Sequence, residues 1–171
     1  RRAIEEVGLL DPVYFAYNED TDWGWRGRIF GWKSFYIPTA IIYHKWSRLG
    51  SLSNLKFYYL ERNRIATIVK NYSDRTLILL LPILLLFELA AIFYSLRRGW
   101  LREKIKGYVD LFKSRRSLMA QRRQLQAKRR FGDSVVMRVF VNEMKHSYLG
   151  SAADPLNKIT RFLSWILTRY V

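Results

Sequence analysis

The residues with the clearest capacity for chemistry lie between positions 17 and 26. Glu19, Asp20 and Asp22 place three carboxylates within four residues, and Arg26 follows Asp22 by one helical turn. An aromatic segment at 14–17 precedes them and is expected to hold them against apolar surface. Carboxylates kept partly out of water beside a cation suit a general base or the shell of a bound cation. The spacing therefore marks this acidic segment as a candidate site.

The same residues also suit the beginning of an α-helix. Asn18, Thr21 and Asp22 are good capping residues, and acidic side chains are favourable at the positive end of the helix dipole. From the residue types alone, the catalytic and the capping interpretations have equal standing. The elements around the acidic segment must decide between them.

Composition narrows the class of protein. The chain has 171 residues, which suits one domain, and 50% of them are hydrophobic, which argues against a disordered protein. The absence of cysteine excludes disulfides and thiolate metal sites. Because the sequence starts at Arg1 without an initiator methionine or a signal-peptide layout, we expect it to be part of a longer protein.

The positive charge is strongly uneven along the chain. The net charge is +16, and residues 97–130 hold 13 Lys and Arg against 2 acids, whereas residues 1–76 hold 12 against 8. A positive excess this concentrated indicates a polyanionic partner, either a nucleic acid or an anionic membrane face. Composition does not choose between the two.

Periodicity and turn residues predict both helices and strands. Apolar spacing predicts helices over residues 2–10, 21–30 and 55–72. Residues 34–37 and 40–43 are rich in β-formers and are separated by Pro38 and Thr39, so they predict two short extended strands.

Residues 77–96 form an apolar segment with Glu88 as its single charge. About 20 apolar residues suffice to cross the hydrocarbon core of a bilayer. A buried helix of a globular domain is the alternative, but the segment lacks the polar stripe expected of one. The segment either crosses the bilayer or lies in the membrane interface. A carboxylate is costly in mid-bilayer, so Glu88 favours the interface. Of the two, a monotopic anchor is our hypothesis.

The stretch after this segment is basic. Residues 113–130 contain eight Lys and Arg and no acid, which is typical of a segment that lies along anionic lipid. A nucleic-acid-binding arm is the rival interpretation, but the interleaved aromatic residues that stack on bases are missing. We therefore predict membrane lipid and no nucleic acid as the partner. A short aromatic helix is predicted at 159–170.

The acidic segment and its flanks together resemble a known family. The ordered set consists of Tyr14-Phe15-Ala16-Tyr17-Asn18-Glu19-Asp20-Thr21-Asp22-Trp23-Gly24-Trp25-Arg26, then Gly31-Trp32, Tyr36-Ile37-Pro38-Thr39-Ala40 and Tyr43-His44. It is similar to the C-terminal half of the catalytic domain of family-two inverting glycosyltransferases, in the rhamnosyltransferase-like branch that builds bacterial or archaeal surface polysaccharides. The resemblance covers residues 1–72 well and residues 73–130 in general layout.

The resemblance implies roles for the acidic residues. Asp20 matches the family's general base, which takes the proton from the acceptor hydroxyl, and a hydroxyl is a poor nucleophile without such a base. Glu19 and Asp22 would orient the acceptor or neighbouring groups.

Three further side chains carry implied roles, each with a structural alternative. Arg26 faces the diphosphate of the donor or pairs with Asp22. A sugar-stacking surface or ordinary core is implied for Trp23, and equally for Trp25 and Trp32. His44 helps to hold a divalent ion, Mg²⁺ or Mn²⁺, on the diphosphate or caps a strand end.

The implied fold is α/β, the C-terminal portion of a GT-A domain followed by a mostly helical membrane-associated region. Residues 1–74 would complete the catalytic domain, 75–98 would form the membrane segment and 99–171 a basic helical region. The resemblance implies that the family's nucleotide-binding strands and Asp-x-Asp metal motif would precede Arg1, so this chain alone is not expected to turn over a nucleotide sugar.

The resemblance also implies where the intact protein works. It would transfer a sugar from a nucleotide-sugar donor to a glycan acceptor, with inversion, on the cytosolic face of the cytoplasmic membrane. The alternative from a different class is a non-enzymatic membrane-bound interaction module with a basic cytosolic tail.

Overall fold

The structure, a computed structural model, describes residues 1–43 and 54–139 together with 158, 161 and 165. Over these residues the chain forms six helices in the order α1 (Arg2–Val7), α2 (Glu19–Ile29), α3 (Asn54–Asn71), α4 (Asp74–Arg98), α5 (Leu101–Ala127) and α6 (Asp133–Met137). The helices predicted over 2–10, 21–30 and 55–72 are present, with ends that differ by a few residues. The predicted helix at 159–170 lies almost entirely outside the described residues.

The predicted α/β class, with a C-terminal portion of a GT-A domain, is wrong for the described part of the chain. Residues 34–37 and 40–43 are irregular and mostly exposed, and the described residues include no strand. A run of β-formers becomes a strand only where a neighbouring strand satisfies its backbone groups. The described residues offer these two segments no such neighbour. The division at residues 74 and 98 stays a prediction.

Helices α3 and α5 form the main helix pair of the structure. They approach closely at Gly107, where an added Cβ would lie 3.3 Å from Cβ of Arg62 and 3.6 Å from its Cα. A larger residue at this position would push the two helices apart. The small side chain therefore sets how closely α5 packs on α3.

Part of the basic segment caps the C-terminal end of α3. The last carbonyls of a helix have no partner within it. Arg122 donates to the carbonyls of Val69 and Tyr72, and Arg129 donates to that of Asn71. Gln126 Nε2 lies 3.1–3.2 Å from the carbonyl oxygens of residues 70–72. Side chains that sequence analysis assigned to lipid are thus committed to the fold.

Two apolar clusters surround these helices. The larger joins α2 and α6 to the ends of α3 and α5 and contains Val7, Trp25, Ile29, Phe30, Tyr72, Leu80, Leu125, Val136 and Met137. The smaller contains Tyr14, Ala66 and Leu118 and lies between the loop before α2 and the α3–α5 pair. The loop that carries the acidic segment is therefore packed against α3.

Helix α4 contains the apolar segment. Ser73 caps its first turn by accepting a hydrogen bond from the amide of Thr76 at 3.3 Å, and Gly99 ends it with a φ of 80°. Among the described residues, α4 is the one helix that is long and apolar enough to cross a membrane.

Candidate functional site

The backbone just before α2 is strained. Phe15, Tyr17 and Asn18 have φ values of 58°, 66° and 69°, in the left-handed region that residues other than glycine rarely occupy. Each such residue costs about 1–3 kcal/mol and persists only where the surrounding structure fixes it. Strain of this kind clusters at functional sites, and here it directly precedes the acidic segment.

Asn63 of α3 holds this strained loop. Its side-chain Nδ2 lies 2.9, 2.7 and 2.8 Å from the carbonyl oxygens of Tyr14, Ala16 and Tyr17. The neighbouring Arg62 donates to the carbonyl of Val13 at 2.9 Å. One helix face therefore satisfies the carbonyls that a chain with three left-handed residues leaves without regular partners.

Asp22 lies at the centre of a buried polar cluster. Its side chain is fully buried and accepts from Arg26 Nε at 2.8 Å, Asn71 Nδ2 at 2.8 Å and the Tyr14 hydroxyl at 3.1 Å. Lys70 Nζ lies 2.7 Å from the same carboxylate. We call these five side chains the Asp22 cluster. A buried carboxylate is tolerated only when it is paired and hydrogen-bonded in this way.

The two cations of the Asp22 cluster extend it to the beginning of the chain. Arg26 also donates to the carbonyls of Val7 at 2.6 Å and Leu9 at 2.9 Å. Lys70 also donates to Asp11 Oδ2 at 3.0 Å. Because the guanidinium and the ammonium each bridge separate segments, the cluster fixes α1, the following loop, α2 and α3 to one another.

Tyr14 is a permanent donor within this cluster. Burial and the negative charge of Asp22 raise the pKa of its phenol well above the ordinary value. The hydroxyl therefore stays protonated, donates to Asp22 and accepts from Thr67 Oγ1 at 3.2 Å. The interaction that supports Asp22 does not change with pH in the physiological range.

Glu19 and Asp20 differ from Asp22 in their surroundings. Asp20 is exposed, and its carboxylate accepts from the backbone amide of Thr21 at 2.6 Å. Glu19 is half-buried, and its Oε2 is shielded from solvent without a hydrogen-bond partner among the described residues. A shielded acceptor without a donor is unusual in a folded protein. The first turn of α2 thus presents one exposed carboxylate, bonded only to the adjacent Thr21 among the described residues, and one half-buried carboxylate.

The aromatic residues of the site divide into core and surface. The indole of Trp23 is half-buried and donates to the carbonyl of Gly8 at 2.8 Å. Trp25 is buried and meets Tyr72 edge to face, with ring centroids 4.5 Å apart. Phe15 is 78% exposed and stacks on Tyr59, with ring centroids 5.4 Å apart. Phe15 is therefore an exposed aromatic side chain within the strained loop.

An open cavity of about 360 Å³ lies beside the Asp22 cluster and is lined by Asp11, Arg26 and Lys70 among other residues. Arg26 and Lys70 are already paired with carboxylates, and the further cation in the lining is the exposed Lys128. Glu19 and Asp20 do not line it. The cavity therefore adds nothing to the acidic turn as a reaction centre.

The described residues contain no group of three or more potential metal ligands. Asp22 is fully used by protein donors, so it has no lone pairs to spare for an ion. His44 lies outside the described residues. The described part of the chain does not by itself supply the shell of a divalent ion.

Sequence reasoning placed Arg26 as a partner of either the diphosphate or Asp22, and the structure contains the pair with Asp22. It missed the face of α3 that binds the acidic segment, formed by Asn63, Thr67, Lys70 and Asn71. These residues recur at intervals of four, three and one, which places them on one side of a helix. A buried polar stripe of this kind is overlooked when only apolar periodicity is counted.

Comparison with known proteins finds a short similarity to a glycosyltransferase. The chain is 46% identical over 46 residues to N-acetylglucosaminyl-diphospho-decaprenol L-rhamnosyltransferase of Mycobacterium tuberculosis, in the strains CDC 1551 and H37Rv. The match covers 26% of this chain and 15% of the length of the rhamnosyltransferase. No family model and no solved structure matches. Over that short stretch, the chain is glycosyltransferase-like.

Proposed function

We propose that the chain is part of a glycosyltransferase that moves a sugar from a nucleotide-diphospho-sugar to the hydroxyl of a lipid-linked glycan. The similarity over 46 residues to a mycobacterial rhamnosyltransferase carries this proposal. The arrangement of the acidic turn supports it, because one carboxylate is exposed while its neighbour fixes the frame. Rhamnose and a polyprenyl-diphosphate-linked N-acetylglucosamine are the first donor sugar and acceptor to test.

Asp20 is the general base in this proposal. Its carboxylate takes the proton of the acceptor hydroxyl as the hydroxyl oxygen attacks the anomeric carbon of the donor. The new carbon–oxygen bond forms while the bond to the diphosphate breaks from the opposite side, so the nucleoside diphosphate leaves and the configuration inverts. A positioned base typically contributes about 10²–10⁴ to the rate of such a step.

Each neighbouring residue has its own task. Glu19, the neighbouring carboxylate of the same turn, would orient the acceptor through its partly exposed side chain. Asp22 and Arg26 act indirectly, because their side chains are committed to the Asp22 cluster. They position the turn that carries Asp20. Trp23, whose indole nitrogen is bound to Gly8, supports the same turn from the side of α1.

The reaction is proposed to take place at the cytosolic face of the cytoplasmic membrane. A nucleotide sugar is a cytosolic donor and a lipid-linked glycan is a membrane-bound acceptor, so the enzyme must work at their boundary. The long apolar helix α4 supports membrane association. A divalent ion on the donor diphosphate, with His44 beside it, stays a prediction for the intact enzyme.

The test of this proposal is the transfer rate of the intact protein with Asp20→Asn. We expect the rate constant to fall by about 10²–10⁴ while the affinity for the nucleotide sugar stays within a few-fold of that of the wild type. Asp74→Asn is the matched control, because it removes another exposed carboxylate and leaves the acidic turn intact.

Two outcomes would contradict the proposal. Transfer within a few-fold of that of the wild type would remove Asp20 from the role of base. A wild-type protein that binds membranes but transfers no sugar from any nucleotide-diphospho-sugar would favour the non-enzymatic interaction module.

A further inference from the structure

One side of α4 is apolar and uncovered. Only 11% of its most apolar 18-residue stretch is buried, whereas the core helix of a soluble protein is mostly buried. The uncovered positions recur at intervals of three and four, so they lie on one face along the whole helix. This outer face consists of Leu79, Pro82, Leu86, Leu89, Phe93 and Leu96, all of them exposed and the leucines and Phe93 each at least 46% so.

The opposite side of α4 is bound to α3 and α5 by charge. Glu88 accepts from Arg64 of α3 at 2.6 Å and lies 2.7 Å from Lys104 of α5. Glu61 contacts the same two cations, and the hydroxyl of Tyr108 donates to Glu88. We call these five side chains the Glu88 cluster. Lys104 is fully buried within it, so the three helices form one unit at this point.

The position of the Glu88 cluster conflicts with a simple crossing of the bilayer by α4. Glu88 is the fifteenth of the 25 residues of α4, so the nearer end lies about 15 Å away along the axis. If α4 crossed, the cluster would lie deep in hydrocarbon and would take the bound parts of α3 and α5 with it. Both helices carry charges throughout and cannot enter the hydrocarbon.

The cluster is compatible with a bilayer when α4 lies parallel to the surface. The outer face then enters the acyl region, while α3 and α5 stay on the aqueous side of α4. Exposed cations stand at both ends of the helix, Arg75 at the start and Arg97 and Arg98 at the end. The guanidinium of Arg97 lies over the ring of Phe93 at 4.4 Å, and an aromatic–cation pair of this kind suits the headgroup region.

We propose that α4 is an in-plane membrane anchor whose outer face inserts into one leaflet of an anionic bilayer while the Glu88 cluster holds its inner face to α3 and α5. The positive charge selects anionic lipid over a protein partner, because the arginines at both ends of the apolar face complement a negative surface. This inference stands independently of sugar transfer.

The first experiment measures binding to vesicles of phosphatidylglycerol and phosphatidylcholine by cosedimentation. Leu89→Asp places a carboxylate in the outer face and is expected to lower the partition coefficient at least about tenfold, since a charge must then leave water. Leu9→Asp is the matched control, because Leu9 is exposed and lies outside α4. Equal binding by both variants, or no binding by the wild type, would overturn the proposal in favour of a protein partner or a second copy.

The second experiment distinguishes an in-plane helix from a crossing helix. The chain has no cysteine, so single cysteines can carry spin labels at Ile78, Leu85, Leu89 and Leu96. We expect the labels at Leu89 and Leu96 on the outer face to report one shallow depth and the label at Leu85, beside Glu88, to lie nearer the aqueous side, with oxygen accessibility that oscillates at the helical period. A depth that increases to the middle of α4 and decreases again toward Leu96 would establish a crossing and overturn the proposal.

Discussion

Two polar clusters contact α3, and they differ in how they share their charges. The Asp22 cluster has one fully buried carboxylate that serves Arg26 and Lys70 together. The Glu88 cluster has two carboxylates, Glu61 and Glu88, for two cations, and both acids retain 17–22% exposure. Among the described residues, Asp22 is the one carboxylate that pairs with Arg26, although Lys70 also pairs with Asp11, whereas each cation of the Glu88 cluster contacts two acids.

This difference matches what each cluster holds. The Asp22 cluster joins the strained loop and α2 to α3 and thereby fixes the turn that presents Asp20. The Glu88 cluster joins α4 to the α3–α5 pair and fixes the direction of the apolar outer face. A reaction centre requires precise positions, whereas an anchor requires only that one face points outward. The predictions below test this contrast through the free energy of unfolding.

The largest effect is expected from Asp22→Asn. The substitution leaves Arg26 buried without its anion and Lys70 with Asp11 alone, and breaking a buried pair such as Arg26–Asp22 costs about 3–5 kcal/mol. Urea unfolding followed by circular dichroism measures the loss. The control Asp74→Asn breaks a pair whose carboxylate is 88% exposed and should cost less than about 1 kcal/mol. Similar losses of unfolding free energy for both variants would show that Asp22 stabilises the fold no more than an exposed carboxylate does.

A smaller effect is expected from Asn63→Ala. It removes the amide that meets three loop carbonyls, and leaving buried acceptors unpaired costs about 1–3 kcal/mol. Hydrogen exchange should also accelerate for the amides of residues 15–18, because the strained loop loses its support. Unchanged exchange in this loop would mean that Asn63 does not hold it.

The smallest effect is expected from Glu88→Gln. Arg64 and Lys104 keep Glu61 as a partner, so the loss of one partly exposed carboxylate should cost about 1–2 kcal/mol. The control is Glu5→Gln, which alters an exposed pair on α1 with an expected cost below about 1 kcal/mol. A loss as large as that of Asp22→Asn would remove the contrast between the clusters.

The sequence predicts the helical elements and one pair of the candidate site. The apolar spacing of residues 55–72 gives α3, and the one-turn separation of Asp22 and Arg26 gives their pairing. The prediction of strands at 34–37 and 40–43 was wrong, because the strand preference of these residues does not supply a neighbouring strand to pair with. The face of α3 that binds the loop could not be predicted from the sequence, because Asn63 and Lys70 contact residues about 50 positions away.

The basic segment shows a related limit. Counting charges assigns the whole of residues 113–130 to lipid, yet Arg122 and Arg129 donate to carbonyls at the end of α3. A long cationic side chain looks the same in sequence whether it faces a membrane or ends a neighbouring helix. Only the packing of α5 on α3 separates the two uses.

In the proposed enzyme, two carboxylates two residues apart have separate tasks, with Asp22 building the frame and Asp20 reacting. The most direct test measures the transfer rate and the free energy of unfolding of Asp20→Asn in the intact protein. The account predicts a rate loss of about 10²–10⁴ with a stability change within about 0.5 kcal/mol. A stability loss as large as that of Asp22→Asn, or a rate within a few-fold of that of the wild type, would contradict it.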